Sequence, residues 1–237
     1  MSLQGKDTAF ISLGIACQTT HQLTLNREML SSLVGEPLHY RSAFFNWVMV
    51  SSNDIGRTLE RLVAEPITAG SLRIPAAPGR CLTLSGHKVW FWHEEPSHAV
   101  SAAKADAMAG KYDHLRRNFL DLCRRPTRYF VLCNAQNNCA WLEPHLAEGM
   151  HLAIDDHVVR DVGRTLDRLF PRGRNRLVTI ARRDRLAPRM REPVPLIDGD
   201  DSEWKGSADA WRRALQDYWF GRHERGEAIT PFRAFIG

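Results

Sequence analysis

The residue with the clearest chemical potential in this sequence is a cysteine that follows a short apolar run. Residues 9–14 read Ala-Phe-Ile-Ser-Leu-Gly, which predicts a buried strand, and helical spacing begins at Cys17. A thiol at the first turn of a helix meets backbone N–H groups and the positive end of the helix dipole. Both favour a thiolate and offer donors to an oxyanion. The pattern is typical of a nucleophile, although a free cysteine can also be simple core packing.

A cysteine nucleophile needs a base, and the sequence offers two candidates among its ten histidines. His93 follows the aromatic run 89–92 and precedes Glu94, which predicts a position at the end of a strand. His21 is the rival, because four residues beyond Cys17 it would share a helical face with the thiol. Spacing alone leaves both open, and either can be an ordinary surface or core histidine.

The elements around this turn predict an α/β fold. Hydrophobic periodicity predicts helices after residue 17 and over 53–63, 99–123, 141–146, 158–170 and 208–219. Apolar runs predict strands at 9–14, 81–84, 89–92, 129–133, 151–154, 177–180 and 194–198. Their alternation predicts a three-layer, Rossmann-like arrangement, in which a mainly parallel sheet carries helices on both faces. The length predicts one α/β domain over residues 1–237.

Charge and cysteine usage narrow the classes of function. The formal charge of +5 is small, but arginines cluster between residues 172 and 191 and could attract an anionic ligand. That cluster lacks interleaved aromatic residues, so no specific nucleic acid is expected. Glycine-rich phosphate motifs and zinc-type cysteine spacing are absent from the sequence, so we expect neither an organic cofactor nor a metal. The five cysteines and the lack of a long apolar run favour a cytoplasmic protein without a membrane span.

Two blocks near the start of the chain resemble a known family. Residues 12–17 match the pattern S-L-G-x-x-C, and residues 40–47 resemble L-R-x-x-S-x-P-F-D-W. Both patterns belong to a bacterial, uncharacterised family described as papain-like cysteine peptidases. His93-Glu94, Lys111-Tyr112 and Trp204-Lys205-Gly206 resemble later blocks of the same family, in the same order.

The resemblance implies a role for each matching position. Cys17 would be the nucleophile, His93 the base, and Ser12, Gly14, Arg41 and Trp47 the substrate-binding residues. Asn46 stands where the family has an aspartate, and Glu94 stands where an aspartate usually follows the histidine. The third catalytic residue is therefore left open among Asn46, Glu94 and Asp198, which ends a predicted strand.

Two functions follow from these features. The first is a cysteine hydrolase or acyl-transfer enzyme that acts on a peptide, amide or glycan-linked substrate through Cys17 and His93. The second is a non-catalytic module associated with polysaccharide biosynthesis. It would bind an anionic glycan or nucleotide-sugar through helix N–H groups and arginines such as Arg182 and Arg183, with Cys17 as packing.

Overall fold

Two β-sheets organise the chain. The computed structural model describes residues 1–73, 81–94, 102–136, 149–188, 190, 195–198 and 204–224, the last five without their side chains. The strands in these ranges are β1 (Ser2–Gln4), β2 (Thr8–Ser12), β3 (His39–Arg41), β4 (Met49–Val50), β5 (Leu72–Arg73), β6 (Thr83–Leu84), β7 (Val89–Trp90), β8 (Thr127–Cys133), β9 (Arg174–Arg182) and β10 (Leu196–Ile197).

The larger sheet has six strands in the order β10-β9-β8-β2-β1-β3. Strands β10, β9, β8 and β2 run parallel to one another, whereas β1 is antiparallel to both of its neighbours. Apolar strands such as β2, in which every residue is buried, suit the centre of a parallel sheet. The prediction of a mixed α/β protein with a mainly parallel sheet is confirmed.

The helices pack against this sheet in two groups. They are α1 (Cys17–Leu25), α2 (Arg27–Val34), α3 (Ile55–Ala64), α4 (Ala102–Leu122), α5 (Asp156–Leu169) and α6 (Ala208–Glu224). Because side chains alternate along a strand, β2 contributes to two hydrophobic clusters. Ile11 joins the cluster that contains residues of α3, α4 and α5. Phe10 joins a second cluster with residues of α1, α2 and α6.

The smaller sheet carries the segment that leads to His93. Its four strands are antiparallel, in the order β4-β7-β6-β5, and Met49 pairs with Trp90. After β7 the chain turns at residues 91–94, where the Glu94 N–H donates to the Phe91 carbonyl over 3.1 Å. The Val50 N–H donates to the Ile15 carbonyl over 3.0 Å and thereby ties the smaller sheet to the loop that precedes Cys17.

The structure departs from the predicted elements in two ways. Residues 151–154, predicted as a strand, form only an isolated bridge between Ile154 and Leu186, because the backbone groups of His151 bond with Ser51 and Ser52 instead. Strands β1, β3, β4 and β5 were not predicted, since strands of two or three residues are too short to show a period. The helix predicted over 141–146 lies outside the described residues, as do Cys139, Arg189 and Arg191.

Of the helices in the described ranges, none has the length and apolar run needed to cross a membrane.

Candidate active site

The turn before Cys17 is held at the carboxyl ends of two neighbouring parallel strands, β2 and β8, of the larger sheet. Beyond β2 the Leu13 N–H donates to Val131 O over 2.8 Å, and the Ile15 N–H donates to Cys133 O over 3.2 Å. A side chain at Gly14 would collide with Thr19 in the first turn of α1, so the close approach of turn and helix requires glycine here. Cys17 is the first residue of α1, and its thiol is partly exposed.

The structure brings Cys17 and His93 together. The thiol sulfur lies 2.9 Å from His93 Nε2, although the two residues are 76 positions apart in the chain. The Trp47 ring meets the His93 ring edge-on, with 5.4 Å between ring centroids, and so limits its rotation. His93 is exposed, so one side of the pair is open to a substrate. This is the spacing that a nucleophile and its base require.

Burial favours the neutral form of both members of the pair. Burial raises the pKa of Cys17 to about 11, more than the hydrogen bond from its own backbone N–H lowers it. Partial burial, followed by the positive charge of Lys111, lowers the pKa of His93. The sequence-based expectation of a lowered cysteine pKa is therefore wrong, because desolvation outweighs the backbone hydrogen bond at the start of the helix.

Glu94 is directed at helix α4 and not at the imidazole. Its carboxylate accepts a hydrogen bond from Tyr112 over 3.1 Å and pairs with Lys111. The Lys111 ammonium also lies over the Trp47 ring, 5.7 Å from its centroid. Glu94 therefore fixes the turn that bears His93, while Lys111 brings a positive charge close to the site.

Asn46 has a structural position. Its side-chain oxygen accepts from the backbone N–H groups of Ser2, at 3.1 Å, and Ala43, at 2.7 Å. Its side-chain nitrogen donates to the hydroxyl of Thr20 over 2.9 Å and to that of Ser2 over 3.3 Å. The buried amide joins β1, α1 and the turn of residues 44–46.

No third member of the site is evident in the described part of the chain. Among those residues, neither Asn46, Glu94 nor Asp198 forms a hydrogen bond with the His93 ring. Asp198 lies at the end of β10, where it accepts from Arg183 Nε over 2.8 Å. The geometry is that of a Cys–His dyad held by the packing of Trp47.

The four predicted substrate-binding residues have different surroundings. Ser12 is fully buried, and its hydroxyl accepts from the Gly14 N–H over 3.1 Å, so both shape the turn. Arg41 donates to the Asn118 side chain on α4 over 2.8 Å and links β3 to that helix. Trp47 contacts the His93 ring and thus borders the Cys17–His93 pair.

Sequence reasoning missed Gln136. Its side-chain oxygen accepts from the Gln18 N–H over 2.9 Å, so one N–H at the start of α1 already has a partner. Arg185 holds this loop by donating to the carbonyls of Gln136 and, over 2.8 Å, Asn134. Residues 134–136 directly follow β8, the parallel neighbour of β2. Polar residues that follow adjacent parallel strands gather at the same edge of the sheet. That rule could have identified Gln136 as a neighbour of Cys17 from the sequence.

His21, Arg182 and Arg183 have partners elsewhere. The His21 ring packs against Trp204 with 5.3 Å between centroids. Arg182 is 6% exposed and donates to Asp184 over 2.8 Å, and Arg183 pairs with Asp198. These described guanidinium groups bond within the protein.

Comparisons of this chain with known protein families, curated proteins and solved structures find no match. Within the described ranges, no group of three or more histidine, cysteine or acidic side chains is arranged to hold a metal ion. The four cysteines in those ranges, Cys17, Cys81, Cys123 and Cys133, are free thiols.

Proposed function

We propose that this protein is a cysteine hydrolase or acyl-transfer enzyme of the papain-like type, in which Cys17 is the nucleophile and His93 the base. One observation carries the proposal, namely the 2.9 Å approach of the thiol to His93 Nε2 at a strand-to-helix turn. The family resemblance of residues 12–17 and 40–47 supports the same assignment. The other described cysteines, Cys81, Cys123 and Cys133, are buried, whereas Cys17 is partly exposed and can be reached by a substrate.

The first half-reaction forms a thioester. As the sulfur attacks the substrate carbonyl carbon, the S–H bond breaks and its proton moves to His93 Nε2. The carbonyl oxygen becomes an oxyanion near the start of α1, where the positive end of the helix favours negative charge. The Gln18 N–H is already bonded to Gln136, whereas the Cys17 N–H is bonded to its own sulfur in the free enzyme. As that sulfur bonds to the substrate carbon and loses its negative charge, the Cys17 N–H becomes the candidate donor to the oxyanion.

The first half-reaction is completed when this intermediate collapses: the imidazolium of His93 donates its proton to the leaving group as the carbon–leaving-group bond breaks, which leaves the thioester. The second half-reaction returns the enzyme to its resting state. A water molecule, or another acceptor in acyl transfer, then loses a proton to His93 and attacks the thioester carbon. The C–S bond breaks, and the thiolate of Cys17 recovers the proton.

The fold proposed for this enzyme is a three-layer, Rossmann-like arrangement. The separation of Phe10 and Ile11 into clusters with different helices supports it. In open α/β sheets, ligands bind beyond the carboxyl ends of the strands. Cys17 follows such an end, because β2 finishes at Ser12.

Acylation by p-nitrophenyl acetate tests the proposed function. We expect the acetyl group to appear on Cys17 in mass spectra of the digested protein, with release of p-nitrophenol that Cys17→Ala abolishes. Cys123→Ala is the matched control, because it removes a buried thiol and leaves the site intact. Release that is unchanged by Cys17→Ala, or acetylation spread evenly over the thiols, would contradict the assignment.

A further inference from the structure

We propose that Trp204 forms a substrate subsite beside Cys17 that takes a planar apolar side chain, such as an aromatic ring, on the acyl part of the substrate. This inference rests on the proposed function of Cys17. Trp204 is 40% exposed, whereas the other tryptophans that the structure describes are buried or half-buried. Its exposed face lies beside His21, one helical turn from Cys17, and is therefore available to a substrate held at the thiol.

The indole lies on the same side of α1 as the thiol. Its ring packs beside His21, which is four residues from Cys17 and therefore one helical turn away. That turn corresponds to about 6 Å between Cβ atoms. A group attached to a carbonyl under attack by Cys17 can reach the indole face without a long spacer.

The backbone that carries Trp204 is fixed to α1. Gln18 donates from its side-chain nitrogen to the Trp204 carbonyl over 2.8 Å, and Gln22 donates to Lys205 O over 2.7 Å. Gly206 has a φ of +69°, and a Cβ there would lie 2.7 Å from Gln18 Nε2. The segment can approach the helix this closely because residue 206 is glycine. The indole is consequently held in place before a substrate arrives.

The surroundings favour an apolar ring over a sugar. Sugar recognition needs several polar side chains directed at hydroxyl groups beside the aromatic face. The amides of Gln18 and Gln22 on α1 are buried and donate to the backbone of residues 204–206, so these groups are already used by the protein. The ring that packs beside the indole is that of His21.

Alkylation of Cys17 with paired probes tests the subsite. In each reaction the sulfur displaces iodide, the S–C bond forms, and the thiol proton passes to His93. The measured quantity is the rate with N-benzyl-iodoacetamide divided by the rate with iodoacetamide. We expect Trp204→Ala to lower this ratio by about 2- to 12-fold, the usual worth of an aromatic pair, and Trp204→Phe to retain most of it. Leu25→Ala, which changes an exposed apolar residue at the far end of α1, should leave the ratio unchanged.

The possible outcomes distinguish a failure of the proposed subsite from a failure of the proposed function of Cys17. An unchanged ratio in Trp204→Ala, with Cys17 still selectively alkylated, overturns the subsite and leaves the proposed function intact. Selection of N-iodoacetylglucosamine over the benzyl probe by the wild-type protein also overturns the aromatic assignment, in favour of a sugar. Absence of selective alkylation at Cys17 in the wild-type protein overturns the proposed function and the subsite with it. Thermal unfolding of each variant confirms that it is folded.

Discussion

Replacement of His93 by glutamine should slow the alkylation of Cys17 at pH 7 by about two to four orders of magnitude, the usual contribution of a general base. Glutamine has a similar volume but cannot take the thiol proton. With a pKa raised to about 11, roughly one thiol in ten thousand is ionised at pH 7 without assistance. The unassisted thiol therefore retains only a small part of the rate of a full thiolate. The ionised fraction of the thiol therefore sets the upper limit of the loss of alkylation rate expected in His93→Gln.

The assay is the second-order rate of iodoacetamide reaction at Cys17, followed by peptide mass spectrometry between about pH 5 and pH 9. In the wild-type protein the rate should stay level down to the lowered pKa of His93 and fall below it, because only the neutral imidazole accepts a proton. In His93→Gln the rate should rise about tenfold per pH unit, since the thiolate fraction does so below the thiol pKa.

Two results would refute this reasoning. The first is an identical pH profile in the wild-type protein and in His93→Gln, which would mean that the thiol reacts without a base. The second is loss of the level region in His21→Gln instead, which would identify the rival histidine as the base. We expect His21→Gln to keep the level region, because the thiol contacts His93.

Two further predictions concern the residues around the dyad. Asn46→Ala should lower the free energy of unfolding by about 2–4 kcal/mol in urea denaturation, because two buried N–H groups lose their acceptor. Asn46→Asp keeps that acceptor and should cost less, and equal costs would contradict this account. Lys111→Met should move the acid limb of the alkylation profile to higher pH, and Glu94→Gln should move it lower, since the lysine lowers the pKa of His93 and the glutamate raises it. Shifts in the same direction would exclude this electrostatic control.

The sequence was sufficient to predict the strand, turn and helix around Cys17, because each has a local signal. The apolar run of residues 9–14, Gly14 and the change to helical spacing at Cys17 all lie within a short stretch of the chain. His93 was predictable as a strand-end histidine, but not its distance from the thiol, which depends on the pairing of β4 with β7.

The remaining features depend on contacts that no local pattern encodes. The amide of Asn46 is held by Ser2, on a strand too short to show a period, and so its structural role was hidden. The pKa of Cys17 was expected to fall because only the helix terminus was weighed, whereas desolvation requires knowledge of the packing. Gln136 reaches Gln18 across 118 residues.

The two members of the dyad follow strands of different sheets, which the bond from Val50 to Ile15 joins. Val50 of β4 and Val89 of β7 are fully buried in the hydrophobic cluster that also contains Ile11 of β2. Regions that open locally are those with few buried apolar contacts, so heating should separate His93 from Cys17 only when this shared core melts. Loss of the proposed activity would then coincide with global unfolding, and its heat resistance would be set by the core that both sheets share.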